Sequence, residues 1–176
     1  MQKMVVTQTE CPARRVPSGI PAVIPEGQFI TINQALGGNY TVTWQGNMFR
    51  IDGLDAAAIG QEPEVLSFTE SDSDDIADEQ VWQALHSIYD PEIPISLVSL
   101  GLIYSVEIEQ SSKSVDVNMT LTAPGCGMGP VLVSDVKYRV AKVPNVEQVN
   151  VELVFDPPWS REMMSEEAQL EAGLFF

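Results

Sequence analysis

The chain predicts an α+β fold, a small αββαβ two-layer domain preceded by a small β-module. Three observations carry this. Downstream of residue 75, apolar residues recur first at helical spacing, then in two alternating runs, then at helical spacing again, then in a last alternating run. Upstream, short β-favouring runs are separated by Gly, Pro and Asn. Between the two lies an acidic, serine-rich stretch that contains no basic residue.

The elements follow in order. Residues 1–62 read as the β-rich module, with a proline-flanked basic arm at its start that carries Cys11 and is expected to be flexible. Pro17-Ser18-Gly19 and Pro25-Glu26-Gly27 are turns. Phe29-Ile30-Thr31-Ile32, Tyr40-Thr41-Val42-Thr43-Trp44 and Met48-Phe49-Arg50-Ile51 are strands, the last two joined at Gln45-Gly46-Asn47. Residues 63–80 are acidic. Their composition cannot bury enough apolar surface to order itself, so 63–75 is a linker, a tether or a docking site for a basic partner. The last acids suit a first helical turn.

The second unit spans residues 76–176. Ile76, Val81, Trp82, Leu85 and Ile88 predict a helix that Pro91 stops. Leu102, Tyr104, Val106 and Ile108, then Val115, Val117, Met119 and Leu121, predict a hairpin turning at Gln110–Lys113. Val131, Leu132, Val136 and Val140 predict a second helix, and Val149, Val151, Leu153 and Phe155 a third strand. Two helices over a small sheet make one apolar layer between them. Ser165-Glu166-Glu167-Ala168 begins a short final helix.

Composition excludes several classes. The net charge of −16 argues against nucleic acid and anionic membranes as partners. The charge is uneven: residues 1–62 hold four Lys/Arg against five Asp/Glu, a net of −1, and residues 63–176 hold five against twenty, a net of −15. Apolar stretches are too short for a membrane span, and the first thirty residues lack a signal-peptide core. Two cysteines without staple-like spacing point to a reducing compartment, so a cytoplasmic location is expected.

Cys126 is the leading candidate for chemistry. It stands in Thr122-Ala123-Pro124-Gly125-Cys126-Gly127-Met128-Gly129-Pro130, between a strand and a helix. Unpaired N–H groups and the positive helix end stabilise a thiolate there. Pro130 fits the first helical position. The alternative is a buried thiol that packs as a small hydrophobe. The glycine spacing lacks the lysine of a phosphate loop and departs from the dinucleotide fingerprint.

Asp90-Pro91-Glu92-Ile93-Pro94 is the second constellation. Its prolines fix an extended path that exposes both carboxylates, and Asp90 and Glu92 then lie on one side of it. The pair could ligate a metal, act as a general base, or hydrogen-bond the Cys126 loop; a plain helix stop is the alternative. His86, the only histidine, is either a partner for Cys126 or a solvated helix residue. Trp159, Met163 and Met164 make either a lid on the core or a patch for a partner.

The Asp90–Pro94 run, the segment Leu97–Tyr104, the Cys126 loop, and Asp156-Pro157-Pro158-Trp159 through Met163-Met164-Ser165 together resemble the iron–sulfur cluster assembly domain family. The resemblance covers about residues 76–172, with the motifs in order, and Ile32–Gly38 looks like the extension of bacterial SufT-like members. PaaD-type members carry a further cysteine-containing tail, which is not found before Phe176. The resemblance implies a non-enzymatic accessory role in maturing iron–sulfur proteins. It places the family's loop cysteine on Cys126, as a transient ligand for iron or a labile cluster, and its acidic motif on Asp90 and Glu92. It implies iron–sulfur carrier or client proteins as partners, and a homodimer would bring two Cys126 loops into one site. An adaptor that binds partners without metal, and a thiol enzyme using Cys126, are the alternative classes.

Overall fold

A computed structural model describes residues 2–36, 38–90, 93, 95–123 and 127–173. The first sheet has six antiparallel strands: β1 (Lys3–Val6), β2 (Cys11–Arg15), β3 (Pro21–Ile24), β4 (Phe29–Leu36), β5 (Asn39–Trp44) and β6 (Asn47–Asp52). Their spatial order is β1-β4-β5-β6-β2-β3. Residues Gln45 and Gly46 join β5 to β6, both at positive φ (51° and 80°), which is the geometry a two-residue hairpin demands and glycine supplies. A 3-10 helix, Gly53–Ile59, follows β6 and is capped by the Asp52 carboxylate, which accepts from Leu54 N at 2.9 Å.

The second sheet is built from β7 (Ile103–Glu109), β8 (Ser114–Met119) and β9 (Gln148–Leu153). β7 and β8 form the expected antiparallel hairpin, whereas β8 and β9 are parallel. Parallel pairing requires a crossover, and α2 (Gly129–Val140) provides it. α1 (Asp78–His86) packs on α2, and α2 packs on β9. Val115, Val117 and Met119 on the central strand are fully buried beneath them, beside Leu85, Leu132, Val136 and Val140. The α+β class is as the sequence predicts. No helix among the described residues is long and apolar enough to cross a membrane.

Each sheet has its own apolar cluster. The N-terminal one contains Cys11, with no exposed surface, packed with Ala13, Ile24, Val42, Phe49 and Ile51. The start of the chain is thus no flexible arm. Cys11-Pro12-Ala13-Arg14-Arg15 pairs with β3 on one side and β6 on the other. The residues that suggested a solvated arm, two arginines beside a proline, are accommodated because β2 buries Arg14 against a carboxylate from the other end of the chain.

The acidic stretch has no regular structure, but it is stitched down. Thr69 N donates to Gln83 Oε1 and Gln80 Nε2 donates to Thr69 O. Asn145 Nδ2 donates to Asp75 O at 3.1 Å, and Phe68 packs against the second core. Ordering comes from polar partners on α1 and the α2–β9 connection, which a reading of the stretch by itself did not anticipate.

Candidate functional site

Of the residues singled out by sequence, Asp90 is described and Glu92 and Cys126 lie outside the described residues. Asp90 follows the isolated bridge between Tyr89 and Ser96. Its N–H donates to Ile95 O at 3.1 Å and its Oδ1 accepts from Ile93 N at 3.0 Å, so the carboxylate braces its own turn. It is nearly buried, at 9% exposure. A depression of about 240 Å³, lined by Tyr89, Ser96, Ser99, Glu167 and Glu171, separates this turn from α3 (Glu166–Ala172). His86 is exposed at the end of α1.

The loop of Cys126 is framed by described residues. On one side β8 runs into Thr120, which is 1% exposed and whose N–H donates to Leu102 O at 2.8 Å. On the other side α2 starts at Gly129, close-packed against Leu121 and Leu153 side chains. Pro130 is the second residue of α2, one place after the first helical position expected for it and still within the turn whose N–H groups need no intrahelical partner. Met128, the N-cap, supplies no side-chain hydrogen bond, and the first turn carries no acidic residue. A helix start without a cap leaves backbone donors and a positive dipole end for another acceptor. Among the described residues, no three His, Cys, Asp or Glu side chains converge to hold a metal ion.

The other motifs form one unit. Trp159 Nε1 donates to Leu100 O at 2.7 Å, Tyr104 OH donates to Pro157 O at 2.7 Å, and Ser165 N donates to Ser99 O at 2.9 Å. Gly101 has φ +76°, and a Cβ there would lie 2.3 Å from Met163 O. Met164 is buried in the core and Trp159 packs against it. The Trp159–Met164 segment is therefore a lid fastened to the Leu97–Tyr104 turn.

Sequence reasoning missed the charged seam between the two sheets. Asp135 and Arg139, both on α2, are 0% and 1% exposed. Asp135 receives Arg50 in a forked pair, Nε to Oδ1 at 2.9 Å and Nη2 to Oδ2 at 2.8 Å, and also pairs with Arg14. Arg139 forks onto Asp52 at 3.0 and 2.8 Å, pairs with Glu64, and donates to the Ser87 carbonyl at the end of α1. These partners keep the Arg139 guanidinium protonated above its ordinary range, although its burial alone opposes that. Tyr138 OH bonds Asp55, and its pKa is raised by burial first and by that carboxylate second. One signal was available: a carboxylate and a guanidinium four residues apart, inside a helix flanked on both sides by apolar residues.

A family model described as iron-sulfur cluster assembly protein matches residues 78–153. The Fe-S protein maturation auxiliary factor of Porphyromonas gingivalis is 44% identical over 96 residues, which is 54% of this chain and 90% of that protein. The Fe-S protein maturation auxiliary factor SufT of Staphylococcus aureus is 39% identical over 87 residues, 49% of this chain and 98% of that protein. A solved structure of a conserved hypothetical protein from Thermotoga maritima superposes with a TM-score of 0.51 at 39% identity, covering 57% of this chain and 98% of that one. Both curated relatives are called Fe-S protein maturation auxiliary factors.

Proposed function

This chain belongs to the iron–sulfur cluster assembly protein family, and from that premise we propose that it serves as an accessory factor in the maturation of iron–sulfur proteins, with Cys126 as a transient thiolate ligand for iron or a labile cluster. The observation that carries this reading is the uncapped start of α2 beside Cys126 in sequence. Free N–H donors and the helix dipole lower the pKa of a thiol placed there and make it a ligand at neutral pH. Asp90, whose carboxylate braces its own turn, and Glu92 are the carboxylates assigned to tune or orient that ligand. The iron or cluster is cargo. One loop cysteine per chain, with Cys11 buried in the N-terminal core, leaves coordination positions that a client, a carrier, a small thiol or a second copy must fill. Incomplete ligation suits hand-over, because a closed set of four thiolates would retain the cluster. The chain then works in the cytoplasm with iron–sulfur carrier or client proteins, and turns over no small substrate of its own.

Reconstitution tests the ligand role. Purified without air and supplied with iron, sulfide and a small thiol, the protein should develop absorption at about 400 nm, where thiolate-bound iron–sulfur centres absorb. The Cys126→Ser variant should stay colourless. A colourless wild type, or a variant with the same spectrum, overturns the assignment of Cys126 as ligand.

A further inference from the structure

A cleft of about 680 Å³ lies between the β2–β3 face of the N-terminal sheet and the outer side of α2. That volume lies in the range of small-molecule sites, which are mostly apolar with a few placed polar groups. Ala13 and Ala22 line one wall and Val133 lines the other. The cleft also abuts the α2 start: a Cβ on Gly19, which lines it, would lie 2.6 Å from Pro130 O.

The charges around the cleft run against those of the molecule. The chain has nine Lys and Arg against twenty-five Asp and Glu, yet Arg14, Lys137 and Lys142 all line this one cleft and no Asp or Glu does. Lys137 and Lys142 are exposed, and neither forms an ion pair among the described residues. Lys142 lies over the Tyr138 ring, 4.8 Å from its centroid. Arg14 is 5% exposed, and its Nη2 is buried without a hydrogen-bond partner, although Nη1 is bound to Ser134 and Asp135. A buried donor left unpaired carries a cost that an added acceptor removes.

We infer that this cleft is a binding site for a small amphipathic carboxylate, whose apolar body lies between Ala22 and Val133 and whose anionic head meets the cationic rim. Neutral apolar ligands would leave the lysines unanswered, and cationic ones would be repelled by them. The site is independent of the proposed role of Cys126.

Calorimetric titration of the full chain with dodecanoate tests it, with dodecyltrimethylammonium as the cationic control. Expected is saturable one-to-one binding of dodecanoate with a Kd in the micromolar range. Binding should weaken at least tenfold in the exposed double variant Lys137→Glu, Lys142→Glu. It should be lost in Ala22→Trp, which fills the cleft from a partly exposed edge-strand position, with folding of both variants checked by circular dichroism. Absence of saturable dodecanoate binding, equal binding of the cationic amphiphile, or unchanged binding in Ala22→Trp would each overturn the proposal.

Discussion

Arg14 and Arg50 stand directly opposite each other across the β2–β6 pairing, and both point their charge at Asp135 of α2. Like charges directly opposite in a sheet are destabilising. Here a single carboxylate from the other sheet's helix turns that repulsion into an inter-sheet joint. Arg139 makes the reciprocal joint from α2 to Asp52, Glu64 and the end of α1.

Asp135→Ala leaves two buried guanidiniums without their carboxylate, and should cost about 3–5 kcal/mol, the usual penalty for breaking a buried pair from one side. Urea unfolding measures it. Replacing Arg14, Arg50 and Asp135 together by Met, Leu and Leu should recover most of that loss, since desolvating the ions offsets much of their attraction. If Asp135→Ala unfolds at the wild-type urea concentration, the joint contributes nothing.

Arg139 should resist its nearest chemical substitute. Lysine retains the charge but cannot fork onto Asp52 while also reaching Glu64 and the Ser87 carbonyl. Arg139→Lys is expected to lower stability by about 1.5–3 kcal/mol, the worth of hydrogen bonds to charged groups. A thermal midpoint equal to that of the wild type would show that the fork is dispensable.

Cys11 gives a prediction in pH. Burial, with a smaller contribution from Asp55, pushes its thiol up to about 12 from an ordinary 9.0. Between these values the unfolded chain has released the proton and the folded chain retains it, so stability present below pH 9 is lost as pH rises towards 12. Tyr138, also raised, acts with the same sign at the alkaline end. In a Cys126→Ser background, Ellman's reagent should leave Cys11 unlabelled until denaturant is added. Rapid labelling of the native protein would contradict its burial.

How much of this was legible depends on where each pattern obtains its meaning. Val115, Val117 and Met119 alternate because one face of β8 is buried, and that periodicity is local. Val131, Leu132, Val136 and Val140 announce α2 for the same reason. The parallel sense of β9 was not readable from its own residues, because the α2 crossover sets it. β2 was misread because Arg14 belongs to a strand core only through Asp135, 121 residues away. In the candidate site, the helix start near Pro130 was legible from proline and glycine chemistry, whereas Asp90, expected exposed on an extended path, is nearly buried because its carboxylate accepts from Ile93 N and its N–H donates to Ile95 O. The fastening of Trp159 to Leu100 was not legible, because a tryptophan before a methionine pair suits a lid and a partner patch equally well.

Gly101→Ala should loosen that fastening. The residue needs a positive φ, and its added Cβ would strike the Met163 backbone. A cost above about 1 kcal/mol is expected, more than backbone strain alone imposes. Trp159 emission should shift to the red as its bond to Leu100 O weakens, and the shift should vanish when Trp159→Phe is combined with it. Unchanged emission in Gly101→Ala would show that the lid does not depend on this close approach.

The most direct measurement is made in cells. In a strain lacking this gene, the activity of a cluster-dependent hydro-lyase is assayed in extracts after complementation with the wild type or with Cys126→Ser at equal protein levels. The account predicts that activity falls without the gene, returns with the wild type, and stays low with Cys126→Ser. Full activity without the gene would contradict a maturation role in that strain, and full rescue by Cys126→Ser would contradict the assignment of the loop thiol as its working group.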